Sequence, residues 1–381
     1  MKQLRLIVAL GLLAITACKK EQQASQQTEI PAQARGSDNS DKNGYVYTLS
    51  NQPSSNEVLV YRRSSDGMLA FAGSYPTGGT GTGGGLGNQG AIVFADGQKY
   101  LLAVNPGSNT ISALQVTGNN VHVRSTVSSG GVRPVSITSY GDLVYVLNQG
   151  GNGSISGFRI VNNGRLVAIP NSTRPLSVNA PTDPAQISFV LNGSVVVITE
   201  KATNTITTYT ISPSGVPGAK HSITSSTPTP FGFAPGAMGT VFISEAAGGA
   251  PGASVLSSYR VQENGQISVV EGSVGAGQTA ACWVVITEDG EFAYTTNTGS
   301  NNLSSFAVNV LTGSIDVHEA IAATSPPGPI DAALSNGSKF LYVLTAMGHT
   351  INGYAVGEDG SLTPMQTVGG VPPGATGLAA K

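Results

Sequence analysis

Charge is scarce in this chain: Lys, Arg, Asp and Glu make up 10% of 381 residues, against about a quarter in an average protein. The formal net charge is only −2, and no basic stripe is present to neutralise phosphates, so nucleic-acid binding is excluded as a class. Cysteine is scarcer still. Cys18 and Cys282 are the whole supply, which excludes a disulfide framework and any C-x-x-C redox or metal motif. Neither a G-x-S-x-G elbow nor an H-E-x-x-H pair occurs, so serine-hydrolase and zinc chemistry have no foothold, and neither a metal nor a cofactor is expected. No amphipathic helical stretch follows residue 18, and no apolar run reaches the roughly 20 residues that cross a bilayer.

What is present begins with an address. Lys2 and Arg5 precede an apolar run from Leu6 to Ala17, which ends in Ile15-Thr16-Ala17-Cys18. Charged, apolar and small-residue regions in this order make a secretory signal, and the last four residues resemble the bacterial lipobox. That resemblance implies that Cys18 is lipidated and becomes the new N-terminus, leaving Cys282 without a disulfide partner. Lys19 stands where a non-Asp residue, in the Gram-negative lipoproteins this resembles, sends the protein on to the outer membrane. Residues 19–44 are rich in Gln, Ser, Lys, Asp and Asn and read as a flexible tether, because they cannot bury enough apolar surface to fold.

From Tyr45 onward the chain repeats. Segments 45–50, 100–105, 143–148, 195–200, 240–245, 292–297 and 340–345 are seven copies of one phrase, such as Leu143-Val-Tyr-Val-Leu-Asn148. Each is followed by a Gly/Asn/Ser turn and another strand. Pairs such as Asp66-Gly67, Asn163-Gly164, Asn264-Gly265 and Asp359-Gly360 then mark a hairpin. A small-residue strand precedes each phrase. Four strands per unit of about 48 residues predict an all-β, seven-bladed β-propeller with four antiparallel strands per blade over 45–381. The chain starts on a second strand, and residues 375–380 have the character of a first strand, so the N- and C-terminal strands should pair and close the ring. A closed ring leaves only short edges, and a monomer is expected.

Residues 282–298, from Cys282-Trp283 to Asn297-Thr298, and residues 143–158 resemble the lactonase-type seven-bladed propellers. That family includes bacterial 6-phosphogluconolactonases and fungal carboxymuconate-cyclising enzymes, and it borders the YVTN repeat family. The resemblance spans 45–381 and implies the propeller fold, with lactone hydrolysis as the activity. One departure stands out. Val135, Gln186, Val284 and Ile330 occupy the starts of innermost strands, where members that hydrolyse lactones carry His, and this argues against an intact hydrolase.

In propellers the turn from the second strand to the third, and the loop from the outermost strand to the next innermost one, meet on one face at the channel mouth. The sixth position of the repeated phrase is therefore expected to send a ring toward that mouth: Ser50, Asn105, Asn148, Glu200, Glu245, Asn297 and Thr345. Glu200 and Glu245, in neighbouring blades, are the candidate catalytic acid and base. Arg133, Arg174, Asn148, Asn297 and His349 are candidate substrate-binding residues, the guanidinium groups being suited to a carboxylate or phosphate. Asp183 falls in a loop of the same face. Residues 78–90 contain a G-x-G-x-x-G match, but with no strand-to-helix context they read as a flexible loop. Two functions fit. One is an envelope-anchored enzyme acting on a small anionic lactone, held to the membrane by its lipid alone. The other is a noncatalytic propeller that binds an envelope protein or a glycan.

Overall fold

The computed structural model describes residues 43–381. The expected signal, Cys18 and the tether up to residue 42 lie outside the described residues. Seven antiparallel sheets follow one another around a ring. Blade 1 is Thr376–Ala380, Gly44–Leu49, Glu57–Arg63 and Leu69–Pro76, ordered from the axis outward. Blades 2 to 7 begin on the innermost strands Ile92–Ala95, Pro134–Tyr140, Pro184–Val190, Pro230–Pro235, Ala281–Ile286 and Pro329–Leu334. In blade 3 the outermost strand is split into Arg165–Ala168 and Arg174–Pro175, both paired with Ser154–Val161. The ring closes as expected: Val46 pairs with Ala380 and Thr48 with Leu378, and Tyr45 and Lys381 exchange both backbone hydrogen bonds.

The burial pattern explains the repeated phrase. Second strands such as Tyr100–Asn105 and Val195–Glu200 are buried on both faces, because each blade is sandwiched between two others. Outermost strands such as Ile267–Gly275 are mostly exposed. The recurring Tyr at the third place of the phrase joins blades. Tyr145, Tyr294 and Tyr342 donate their hydroxyls to the carbonyls of Gly215, Gly360 and Gly67 at 2.6, 2.9 and 2.7 Å, each glycine sitting in the next blade's outer hairpin turn. Those glycines are left-handed, with φ of 82°, 80° and 87°, a conformation that costs an L side chain energy and leaves the turn open to the neighbour.

The innermost strands have a free edge along the channel, and its N–H groups need partners. Blades supply them to one another. Ser136 Oγ accepts from Ile187 N of the next blade (3.2 Å), and Gln186 Oε1 accepts from Phe233 N (2.6 Å). Gly232, the equivalent residue of blade 5, has no side chain to offer. Its place is taken by Gln89, which accepts from Val284 N (3.2 Å) and donates to Val284 O (2.7 Å). Gln89 belongs to the glycine-rich segment expected to be a flexible loop. That expectation is corrected: Leu86, Asn88 and Gln89 are buried, Trp283 donates its indole N–H to Asn88 O (2.7 Å), and Asn88 donates to Val135 O. The segment plugs the channel, because orphaned backbone groups there make it the best-paired path for the chain.

Candidate functional site

Above the plug, on the face predicted to carry the site, a cup of about 480 Å³ is lined by Gly85, Leu86, Gly87, Arg133, Gln149, Gly150, Pro181, Asp183 and Lys201. Two structurally equivalent positions build it. The residue before the innermost strand is left-handed in five blades: Arg133, Asp183, Thr229, Ala280 and Gly328 have φ of 54°, 45°, 66°, 55° and 71°. Each carbonyl accepts from the residue just past the second strand, which is Gln149, Lys201, Ala246, Thr298 and Ala346 respectively, at 2.8–3.2 Å. Both positions face the mouth. Blade 3 fills them with Arg and Gln, and blade 4 with Asp and Lys, whereas blades 5, 6 and 7 place Thr, Ala or Gly there. Charge in a charge-poor chain is thus concentrated at one place on the rim.

Lys201 is the centre of this arrangement. Its side chain is 10% exposed, its ammonium donates to Gly87 O at 2.5 Å, and it stands 3.4 Å from Asp183 Oδ2. The ammonium also lies 4.7 Å from the centroid of the Phe231 ring, an attractive placement for a cation. Burial lowers its pKa below the ordinary lysine value, and the Asp183 charge opposes that shift. Asp183, half exposed, accepts from Gln149 Nε2 at 2.5 Å through its other oxygen. The Arg133 backbone N–H is held by Asn109 at 2.7 Å, while its exposed guanidinium makes no hydrogen bond or ion pair with the described residues and lines the cup. The cup therefore offers a free guanidinium, an immobilised ammonium and a carboxylate held on both oxygens with water access.

Of the candidates read from the sequence, Arg133 and Asp183 line the cup. The remaining placements are corrections. Glu200 is fully buried and accepts from Ser177 N (3.2 Å), Ser177 Oγ (2.5 Å) and Thr207 Oγ1 (2.5 Å). Glu245 is equally buried and accepts from Thr227 N (2.7 Å), Ser257 Oγ (2.9 Å) and Tyr259 OH. Burial, rather than repulsion by Glu200, is the largest influence raising the Glu245 pKa. Asn148 donates to Ser129 O at 3.4 Å, in the loop arriving from blade 2, and Asn297 donates to Asn302 and Ser304 at 2.8 Å inside its own blade. Arg174 is spent on the carbonyls of Asn171, Thr173 and Pro217 at 2.8–2.9 Å on the outer strand. His349 is exposed on the same face, in the turn of blade 7 away from the cup.

The physical reason is the two-residue period of a strand. The sixth residue of the phrase turns its side chain into its own blade, where it pins the incoming loop, and the seventh turns toward the axis. Reading one place further would have found Lys201, since the seventh column is Asn51, Pro106, Gln149, Lys201, Ala246, Thr298 and Ala346 and holds one charge. Cys282, on the innermost strand of blade 6, is buried with its thiol pKa pushed up to about 12, which fits an inert thiol. Among the described residues no cluster of His, Cys, Asp and Glu could hold a metal.

The structure is a closed ring of seven blades with a polar cup at one channel mouth. The chain belongs to the lactonase family of seven-bladed β-propellers, whose family model matches residues 22–174 and 276–380. No curated protein sequence matches it. Solved structures share the fold at low identity. A Lactobacillus plantarum protein has a TM-score of 0.70 and 18% identity, over 89% of this chain and 99% of its own. A putative 6-phosphogluconolactonase from Bacteroides fragilis has a TM-score of 0.67 and 14% identity, over 91% and 100%. The periplasmic gluconolactonase PpgL of Pseudomonas aeruginosa has a TM-score of 0.68 and 17% identity, over 89% and 99%.

Proposed function

We propose that this protein is an envelope-anchored lactonase that binds a small sugar-derived lactone in the cup and opens it with water. The observation that carries this reading is the concentration of Arg133, Gln149, Asp183 and Lys201 at equivalent positions of two adjacent blades, which the other blades leave neutral. Family membership supports the reaction class, and the missing His at Val135, Gln186, Val284 and Ile330 is offset by a different set of groups. Asp183 takes a proton from the attacking water, and the Lys201 ammonium faces the oxygen that becomes negative in the tetrahedral intermediate. The ring C–O bond then breaks, the leaving alkoxide recovers the proton from Asp183, and the product is a hydroxy acid. Glu200 acts one step back, fixing the 177–183 loop that carries Asp183.

The test is turnover of a panel of sugar lactones above the spontaneous rate. Lys201→Met is expected to lower kcat by roughly 100-fold, the scale of a lost oxyanion donor, with an unchanged circular-dichroism spectrum. A wild-type protein that binds a sugar in the cup but turns over nothing would instead support the noncatalytic glycan- or protein-binding reading.

The anchoring half of the proposal rests on residues 15–18. Gly44 enters the ring at the end of its strand opposite the cup, because that strand runs toward the 50–56 turn on the cup's face.

A further inference from the structure

Resting on the reading of the cup as a ligand site, we infer that its ligand carries one carboxylate, which the Arg133 guanidinium holds. The charge count decides this. Of the two cations in the cup, Lys201 is balanced in charge by the Asp183 carboxylate 3.4 Å away. Arg133 alone brings a guanidinium with no partner, so the cup can neutralise one further negative charge. A carboxylate matches that charge and the planar fork of the guanidinium. A phosphate monoester brings about −1.5 to −2, and its excess charge would sit unpaired in the same cup as the Asp183 carboxylate. A neutral sugar would leave the guanidinium unused.

The test separates this inference from hydrolysis. Calorimetric titration with three pyranosides that cannot be hydrolysed as lactones, methyl glucuronide, methyl glucoside and methyl glucoside 6-phosphate, reads ligand class without turnover. Methyl glucuronide is expected to bind at least tenfold tighter than either of the others, and Arg133→Ala to erase that preference. Kinetics run alongside, with glucaro-1,4-lactone expected to exceed gluconolactone and 6-phosphogluconolactone in kcat/KM by a similar factor. Equal binding of the three pyranosides, or tightest binding of the phosphate, overturns the inference. Preferred binding of the glucuronide with no turnover of any lactone upholds it and overturns the hydrolytic reading alone.

Discussion

Asp331 shows how a single buried group sets the chemistry of the channel wall. It sits on the innermost strand of blade 7, with Oδ1 accepting from Ala332 N at 3.0 Å and a further backbone hydrogen bond from Leu378 of blade 1. Oδ2 has no partner. Burial pushes its pKa up to about 8, well above the roughly 3.9 of an unfolded aspartate. The folded state therefore holds a proton that the unfolded state has lost, and the stability this provides is full below about pH 4 and drains away as pH rises toward 8. Burial raises the Glu245 carboxyl in the same direction. The melting temperature should accordingly fall between about pH 4 and 8. Asp331→Asn, which keeps the acceptor oxygen and cannot ionise, should flatten that slope. A variant whose melting temperature tracks the wild type at every pH would assign the pH dependence elsewhere.

Candidate residues were legible in the sequence to within one position. Arg133 and Asp183 stood out as charged residues in loops of the mouth face, in a chain with little charge. Lys201 was missed beside Glu200, because a repeat alignment gives the position of a residue in a strand but not which way the last side chain turns as the strand enters its turn. Arg174 was misplaced for a different reason: the split of the blade 3 outer strand moves it onto carbonyl groups of the rim, and no local pattern announces such a split.

At the scale of elements, the strands themselves were readable because their apolar runs and turn glycines obey the sheet and hairpin periods. The plug was not. Residues 78–90 have the composition of a loose loop, and their order comes from the orphaned amides of strands far away in sequence, above all Val284. Gly232 is the key to its seat, since a Cβ there would lie well inside contact distance of Gln89 Oε1. Gly232→Ala should expel Gln89, leave Val284 N–H unpaired at a cost of about 1–3 kcal/mol, and expose the 78–90 segment to limited proteolysis. Gln89→Ala should do the same with less effect on the strand. Equal protease resistance in wild type and Gly232→Ala would mean that the plug is held by something else.

Glu200 makes a related point about loops. Its carboxylate is the shared acceptor for the backbone and hydroxyl of Ser177 and for Thr207, so its work is to hold a loop still. Glu200→Ala leaves those donors unpaired in a buried place and should cost about 2–3 kcal/mol of stability. It should also loosen Asp183 and raise KM. Glu200→Gln keeps one acceptor oxygen and should lose less of both. An unchanged melting temperature together with abolished turnover would instead give Glu200 a direct part in the chemistry.

For the whole molecule, the count of blades and the closure of the ring follow from seven copies of one phrase and from where the chain begins and ends within the repeat. Function is not periodic. On the proposed reading it resides where the repeat is broken by charge, in blades 3 and 4, and a propeller can change its ligand there without disturbing the rest of the ring. The anchor belongs to this scale as well. Cys18→Ser should abolish labelling by a fatty-acid analogue and release the protein from the membrane fraction, and persistent labelling of that variant would rule out the lipobox.

The central claim is that the cup formed by Arg133, Gln149, Asp183 and Lys201 is the working site. Amide hydrogen exchange, measured with and without saturating glucaro-1,4-lactone or methyl glucuronide, tests it most directly. Ligand is expected to protect residues 85–87, 133, 149–150, 182–183 and 201, and to leave the corresponding turns of blades 5 to 7 at 246–249, 298–301 and 346–349 unchanged. Protection centred on those other turns, or on the outer strands, would contradict the account.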